Sequence, residues 1–197
     1  MPSRKPLTHQ LTREQREQYI AGYSAMIEEN RFGREPHYIN FMFHSIPGST
    51  EARLEAMKRD IIRVHDLLMR STVRKPNSPN WQASRPIFIG CPDLPVIKRK
   101  KQHVRNFMVN DGLHFNAISL TPPTRSGTVQ PLTHLFLPTS RLKVSLEEHF
   151  RRQQQMYQTE HLYRIHVTPI VDGTMADYTL KTFKNGYVTP DEVLVLN

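Results

Sequence analysis

The chain has 197 residues, only one of them cysteine, and carries 27 Lys and Arg against 18 Asp and Glu, a formal net charge of +9. A chain of this length buries enough surface to form a core without disulfides or a structural metal. A single thiol is compatible with the reducing cytoplasm, where we expect the protein. The polar N-terminus does not look like a signal peptide, and no apolar run approaches the ~20 residues of a membrane span, so we expect neither a secreted nor a membrane-spanning protein.

The positive charge is concentrated in one stretch of the chain. Residues 70–105 hold nine basic side chains and one acid, Asp93, which gives 9 − 1 = +8 of the +9 total. A dense group of Lys and Arg releases counterions from phosphates, so this stretch predicts a nucleic-acid-binding surface. The alternative is a solvated basic loop. Trp81 is expected either to stack on an unpaired base or to pack over a loop. The candidate DNA-binding residues are Arg74, Lys75, Trp81, Lys98, Arg99, Lys100, Lys101 and Arg105.

Helical periodicity and capping residues predict the first half of the fold. The sequence from Thr12 to Gln15 is a capping box, which opens a helix ending near residue 30. A strand rich in aromatic and β-branched residues follows at 37–43, and apolar residues spaced by three and four indicate a second helix from Thr50. Two prolines between 71 and 85 indicate a loop, after which 86–89 is expected to form a short strand.

The second half continues to alternate strands and helices. Ser145 opens a helix to about residue 157, and Thr174 caps a short helix that stops at Asn185 and Gly186. The strand-like runs are 113–120 and 132–137, expected to form a hairpin with a long loop, then 162–170 and 191–196. Locally paired strands with helices between them predict an α+β domain on one antiparallel sheet over residues 36–197. A helical extension is expected to precede it at residues 1–35.

Two polar residues on one predicted strand form a candidate metal site. Strand alternation puts His114 and Asn116 on the same face, with Phe115 on the other. An imidazole nitrogen and an amide oxygen held in this way can converge on one divalent ion. The alternative is a histidine whose hydrogen bonds are purely structural.

A second pair of residues is a candidate nucleophile and its activator. In the predicted helix after Thr174, Tyr178 and Lys181 are neighbours at i and i+3. A phenol near an ammonium is easier to deprotonate, and the ammonium can stabilise charge that develops on an attacked phosphate. The alternative is a surface tyrosine with a lysine beside it.

In this order, on a basic chain of this size, the two pairs resemble the HUH endonucleases. These are the single-strand nickases that initiate rolling-circle replication of plasmids, phages and small single-stranded DNA viruses. Family members carry His-hydrophobe-His, or His-hydrophobe-Gln in some branches, on a metal-binding strand and Tyr-x-x-Lys on a later helix. The matching positions are His114 to Asn116 and Tyr178 to Lys181, and the hydrophobic strand 38–43 stands where the family has its first motif. The resemblance covers roughly residues 38–196.

The resemblance implies a ferredoxin-like fold and a metal-dependent nicking reaction on single-stranded DNA. A divalent ion, Mg²⁺ or Mn²⁺, would be held by His114 and Asn116, with Asp93 or His44 as the third protein ligand. Tyr178 would attack the DNA to give a 5′-phosphotyrosine link, and Lys181 would assist. The basic stretch would hold the DNA backbone.

The sequence departs from the family at Asn116, where His or Gln is usual. An amide oxygen is acceptable to Mg²⁺ or Mn²⁺ but is a poorer ligand than imidazole for transition metals. The chain is therefore expected to be either an active enzyme with a weak metal site or a relative that has lost metal-dependent nicking. Two other functions remain open: a non-catalytic nucleic-acid-binding module of the same fold, and a structural or partner-binding protein.

Overall fold

The computed structural model describes residues 11–93, 113–124, 140–171 and 175–197. The strands are β1 (Glu35–Phe43), β2 (Ile87–Asp93), β3 (His114–Thr121), β4 (Leu162–Pro169) and β5 (Leu194–Leu196). The α-helices are α1 (Arg13–Arg31), α2 (Thr50–Thr72), α3 (Leu146–Arg152), α4 (Gln154–Tyr157), α5 (Met175–Thr179) and α6 (Lys181–Lys184). Short 3₁₀ helices lie at Pro79–Ser84 and Pro190–Glu192.

The strands form one five-stranded sheet in the order β4-β1-β3-β2-β5, and neighbouring strands are antiparallel. Helix α2 connects β1 to β2, and α3 with α4 lies between β3 and β4 in the chain. This is the βαββαβ arrangement of ferredoxin-like domains, with β5 added beside β2. The predicted α+β class with a central antiparallel sheet is confirmed.

The two faces of the sheet are covered by different helices. On the first face, the predicted apolar stripe of α2 packs with α3 and α4 over the sheet. On the second face, α1 packs with α5 and α6. The first core includes Ile39, Phe41, Leu54, Met57, Ile61, Val64, Leu68, Phe88, Phe115, Leu146, Phe150 and Val167.

Helix α1 begins at the predicted capping box, in which Gln15 N donates to Thr12 Oγ1 and Thr12 N donates to Gln15 Oε1. Its two buried apolar residues pack on the second face of the sheet, where Ile20 joins Leu180 and Phe183 and Ile27 joins residues of β2 and β3. The helix expected as an N-terminal extension therefore contributes to the core around α6. The boundary at residue 36 stays a prediction.

Strand β2 is longer than its sequence indicates. We predicted that it ends at Ile89, but it continues through Pro92 to Asp93, because β3 pairs with it over its whole length. Gly90 makes the close pairing sterically feasible, since a Cβ there would collide with the backbone of Asn116 and Ala117. The extension brings Asp93 opposite His114.

Two further predictions, one for a helix and one for a hairpin, differ from the structure. The single helix predicted for Tyr178 and Lys181 is interrupted at Leu180, which divides it into α5 and α6. Both edges of β3 are occupied by β1 and β2. The run 132–137, predicted as the hairpin partner of β3, lies outside the described residues, as does the cap residue Thr174.

No helix in the described ranges has both the length and the apolar character needed to cross a membrane.

Candidate active site

A buried carboxylate, Asp93, is the centre of the polar cluster on the second face of the sheet. Its Oδ2 accepts from His114 Nε2 at 3.1 Å, Asn116 Nδ2 at 3.0 Å and Lys181 Nζ at 2.6 Å. Its Oδ1 accepts from Thr182 Oγ1 at 3.0 Å. Residues from β2, β3 and α6 therefore meet at one side chain that is only 4% exposed.

Asp93 is ionised in the folded protein. Burial alone would raise the pKa of this carboxyl, but hydrogen bonds from His114 and Lys181, together with the charges of both, lower it to about 2. A buried negative charge with this many donors is stable only while the donors remain in place.

Strand pairing explains why these side chains meet. Asp93 lies opposite His114, and Asn116 lies opposite Cys91 on one side and Asn40 on the other. The common contact with Asp93 confirms that His114 and Asn116 share one face of β3, as predicted from alternation. Asn40 extends the cluster into β1, because its Nδ2 donates to Asn116 Oδ1 at 2.8 Å.

Tyr178 and Lys181 reach the polar cluster from α5 and α6, the helices that cover this face of the sheet. Although the helix is broken between them, Lys181 Nζ lies 4.7 Å from the centre of the Tyr178 ring. Tyr178 is 51% exposed, and its ring contacts the Tyr38 ring edge-on, with centroids 5.6 Å apart. The two pairs singled out in the sequence, about 60 residues apart, are thus brought together by the ion pair between Lys181 and Asp93.

The helical segment is fixed to the sheet on both sides of Leu180. Cys91 Sγ donates to Thr179 O at 3.3 Å, and Leu180 is fully buried. After the break, Thr182 and Phe183 are buried as well. Tyr178 is therefore an exposed side chain on an anchored segment.

The side chains of the cluster offer one carboxylate, one imidazole and one amide, which are donor types that divalent cations accept. Within the described part of the chain, no group of three or more His, Cys, Asp and Glu side chains is arranged to hold a metal ion. Asn116 presents its NH₂ to Asp93 and its oxygen to Asn40. Ligation by Asp93, His114 and Asn116 would require that amide to turn over and the Lys181 ammonium to leave Asp93.

His44, the other candidate third ligand, contacts different residues. It is exposed, and its ring packs at a tilt against that of Tyr163 with centroids 4.8 Å apart. Asp93 is therefore the acid that the structure brings to His114 and Asn116.

The predicted DNA-binding residues are separated from this cluster or lie outside the described ranges. Arg74 and Lys75 are exposed after α2, and Trp81 is half-buried in the 3₁₀ helix at Pro79–Ser84. All three precede the first residue of β2, whereas Asp93 is the last, about 20 Å farther along an extended strand. Lys98, Arg99, Lys100, Lys101 and Arg105 fall in a range that the structure does not describe.

Sequence reasoning missed several residues on the same face of the sheet. Tyr38 and Asn40 of β1 were seen only as part of a hydrophobic run, although their alternation with apolar neighbours was visible. Thr182 gave no signal. Three exposed side chains of the edge strand β4, which we call the open strip, continue this face beyond β1, because they lie opposite Met42, Asn40 and Tyr38. The open strip consists of Arg164, His166 and Thr168.

Neither a protein-family model, nor a curated protein, nor a solved structure matches this chain.

Proposed function

We propose that this protein nicks and rejoins single-stranded DNA, with Tyr178 as the nucleophile, in replication initiation or mobile-element transfer. The observation that supports this proposal is the meeting of the Tyr178–Lys181 pair with the His114–Asn116 pair at Asp93. An exposed tyrosine beside a lysine has many structural explanations. Here the neighbouring lysine is also bonded to a buried aspartate, and that aspartate is bonded to a histidine on the sheet. This grouping of a nucleophile candidate with charged side chains supports phosphoryl transfer to the phenol.

The reaction would proceed by in-line displacement at one phosphodiester. The Tyr178 oxygen forms a bond to phosphorus and releases its proton to solvent, while the bond from phosphorus to the 3′ oxygen breaks. The leaving 3′ oxygen takes up a proton, and the 5′ phosphate remains esterified to Tyr178. Attack of the free 3′-OH on this ester reverses the steps and rejoins the strand.

The residues around Tyr178 have distinct parts in this proposal. Lys181, whose ammonium lies against the Tyr178 ring, would stabilise negative charge on the phenol oxygen and on the phosphate. Mg²⁺ or Mn²⁺ bound by His114, Asn116 and Asp93 would supply positive charge to the phosphate oxygens. Because Lys181 is hydrogen-bonded to Asp93, the ammonium and the divalent ion would compete for this carboxylate.

The test is the capture of a covalent adduct. Randomised single-stranded oligonucleotides labelled at the 3′ end are incubated with the protein and Mn²⁺, then resolved on a denaturing gel. The label is placed at the 3′ end because the strand attached to tyrosine is the one that carries the 5′ phosphate. We expect a labelled protein band that is lost in Tyr178→Phe, whereas Lys181→Ala slows its formation.

Other tyrosines provide the controls. Tyr187 is the closest match, since it is 44% exposed. Tyr163 is half-buried and Tyr157 is buried. Substitution of each by Phe should leave the adduct intact. An adduct that survives Tyr178→Phe and disappears with one of these substitutions would contradict the assignment of the nucleophile, and a complete lack of adduct would contradict nicking.

A second candidate function is non-catalytic binding of single-stranded DNA on the same face. The observation that favours it is the open strip, where the exposed Arg164 follows Tyr163, whose ring packs at a tilt against that of His44. Cationic side chains beside aromatic rings are the usual components of such surfaces. In this case affinity would depend on salt, no adduct would form, and Tyr178→Phe would have no effect. A structural or partner-binding protein would show no salt-dependent DNA affinity at all.

A further inference from the structure

The orientation of the Tyr178 ring is not fixed by burial. The residue belongs to a helix of five residues, and half of its surface is exposed. Its described ring contacts are with Lys181, through the ammonium, and with Tyr38, through an edge-on packing at an interplanar angle of 63°. An attacking oxygen must be held within a narrow range of positions for efficient reaction, so these contacts determine how often the phenol is aligned.

Tyr38 is a rigid support because it is part of the sheet. It lies in β1 between Ile118 of β3 and Thr168 of β4, and its side chain is half-buried. Its hydroxyl lies close enough to the side chains of Asn40 and Tyr178 for both to affect its pKa.

A set of hydrogen bonds runs to the carboxylate from Asn40, which lies beside Tyr38 on the same face of β1. Asn40, two residues along the same face of β1, donates to Asn116, and Asn116 donates to Asp93. Lys181, the other contact of the Tyr178 ring, is bonded to the same carboxylate. Both contacts of the nucleophile are therefore connected to Asp93, one directly and one through the sheet.

We propose that Tyr38 is a positioning residue for the nucleophile: its ring edge and hydroxyl hold the Tyr178 phenol in place relative to the Asp93 cluster. This inference rests on the proposed function, because it concerns the same tyrosine.

The Tyr38 hydroxyl is suited to donate a hydrogen bond to Tyr178. Burial, and then the proximity of Tyr178, raise the pKa of Tyr38 above its usual value, so that its hydroxyl stays protonated. A donor that stays protonated stabilises a phenolate beside it without competing for the role of nucleophile.

The first test separates rate from affinity. In Tyr38→Phe, which keeps the ring and loses the hydroxyl, we expect the single-turnover rate of adduct formation at saturating DNA to fall about tenfold, the value of one hydrogen bond made in the reactive state. The rate in Tyr38→Leu, which loses the ring edge as well, should fall further. DNA affinity should change less than about twofold in both. Tyr187→Phe, which removes a hydroxyl from another exposed tyrosine, should react like the parent.

The second test does not depend on activity. The protein is labelled with 3-fluorotyrosine at its seven tyrosines, and the ¹⁹F resonance of Tyr178 is assigned by its loss in Tyr178→Phe. We expect this resonance to shift in Tyr38→Phe and to become narrower in Tyr38→Leu, since the ring gains freedom. Tyr187→Phe should leave it in place.

The outcomes are distinct. Tyr38→Phe could form the adduct at the rate of the parent and leave the ¹⁹F resonance of Tyr178 unmoved. This result would overturn the inference about Tyr38 and would not affect the proposal that Tyr178 nicks DNA. A loss of DNA affinity in place of rate would also overturn it, because Tyr38 would then be a DNA contact. If the parent protein forms no adduct, the proposed function fails and the resonance alone decides whether Tyr38 holds Tyr178. Tyr38→Phe keeps the buried ring, so it decides the matter if Tyr38→Leu does not fold.

Discussion

The two faces of the sheet are built from the same strands, but the second face carries a buried polar cluster beside its apolar residues. On the face covered by α2, each central strand contributes a buried phenylalanine: Phe41, Phe88 and Phe115. On the face below α5 and α6, the same strands contribute Asn40, Asp93 and Asn116, of which the last two are fully or almost fully buried.

The difference shows that burying side chains costs more free energy at the polar cluster than on the first face. Apolar side chains on the first face gain free energy from burial whatever their neighbours. Polar groups on the second face lose hydration and recover it only through bonds to one another. A buried carboxylate with a strongly lowered pKa is a candidate functional group, so the polar cluster is the better place to look for activity.

The largest expected effect on stability is on the apolar face. Phe88→Ala removes a ring that packs against Phe41 and His65, and we expect the free energy of unfolding to fall by about 3–5 kcal/mol. Urea denaturation followed by circular dichroism measures this loss. The loss should be larger at pH 7 than at pH 4, because the ring also covers His65, whose pKa is lowered by burial. An equal loss at both pH values would show that Phe88 does not keep the imidazole from water.

On the polar face, Asp93→Asn should have a smaller effect that depends on pH. Lowering the pKa of Asp93 from 3.8 to about 2 corresponds to about 2 kcal/mol of stability at neutral pH. The folded protein binds this proton less readily than the unfolded chain does, so the contribution is complete above about pH 5 and is lost as pH falls from about 4 to 2. Unfolding curves at pH 7, 4 and 2.5 should therefore differ between parent and variant most at pH 7 and least at pH 2.5.

An exposed carboxylate serves as the comparison. Asp177→Asn removes a surface charge near the same helices and should change stability by less than about 0.5 kcal/mol at each pH. If Asp93→Asn behaves in the same way, the buried cluster contributes nothing to stability.

The competition between Lys181 and a divalent ion gives the next prediction. Lys181→Met removes the ammonium from Asp93, so we expect Mn²⁺ to bind about tenfold more tightly, as measured by the loss of the free-ion electron paramagnetic resonance signal. His114→Ala should abolish binding, and Asn116→His should strengthen it because imidazole is the better ligand.

Lys184→Met is the matched control, because Lys184 is bonded to Asp177 and not to Asp93. Equal Mn²⁺ affinity in the parent, Lys181→Met and His114→Ala would mean that this cluster holds no metal, and that His114 has a structural role.

The smallest expected effect is on the salt dependence of DNA binding at the open strip. Arg164→Ala should reduce the slope of log affinity for single-stranded DNA against log salt by roughly 0.7, the value of one phosphate contact. Fluorescence anisotropy over a range of salt concentrations measures it. The exposed Arg152, which pairs with Glu148 on α3, provides the control and should leave the slope unchanged when replaced by Ala.

The four consecutive basic residues at 98–101 can be compared with Arg164 in the same assay. Neutralising Lys98, Arg99, Lys100 and Lys101 together should reduce the slope by roughly 0.7 for each contact that is lost. An unchanged slope in this variant, with a reduced slope in Arg164→Ala, would assign DNA binding to the open strip.

Local patterns were sufficient for most of the fold. The capping box at Thr12, the apolar stripe of α2 and the alternation of His114 with Asn116 each depend on a few neighbouring residues, and each prediction is confirmed. The end of β2 was missed because Pro92 is unusual inside a strand, and only pairing with β3 carries the strand past it.

The assembly of the site could not be predicted locally. Asp93 was named as a candidate ligand, but its contact with Lys181 depends on the break at Leu180 and on how α6 lies over the sheet. The role of Tyr38 and Asn40 depends on pairing between strands more than 70 residues apart in the chain. Such contacts are determined by topology, and no periodicity within a segment reports them.

The single cysteine provides a direct means to observe movement of the segment that carries Tyr178. Cys91 is fully buried below Thr179, and burial raises the pKa of its thiol to about 12, so an alkylating reagent cannot reach or activate it while α5 stays on the sheet. The rate of Cys91 alkylation in the native protein therefore measures how often this segment lifts. Added DNA that closes the site would slow labelling, and DNA that opens it would accelerate labelling. Because the chain has no other thiol, the modified fraction can be read from intact mass alone.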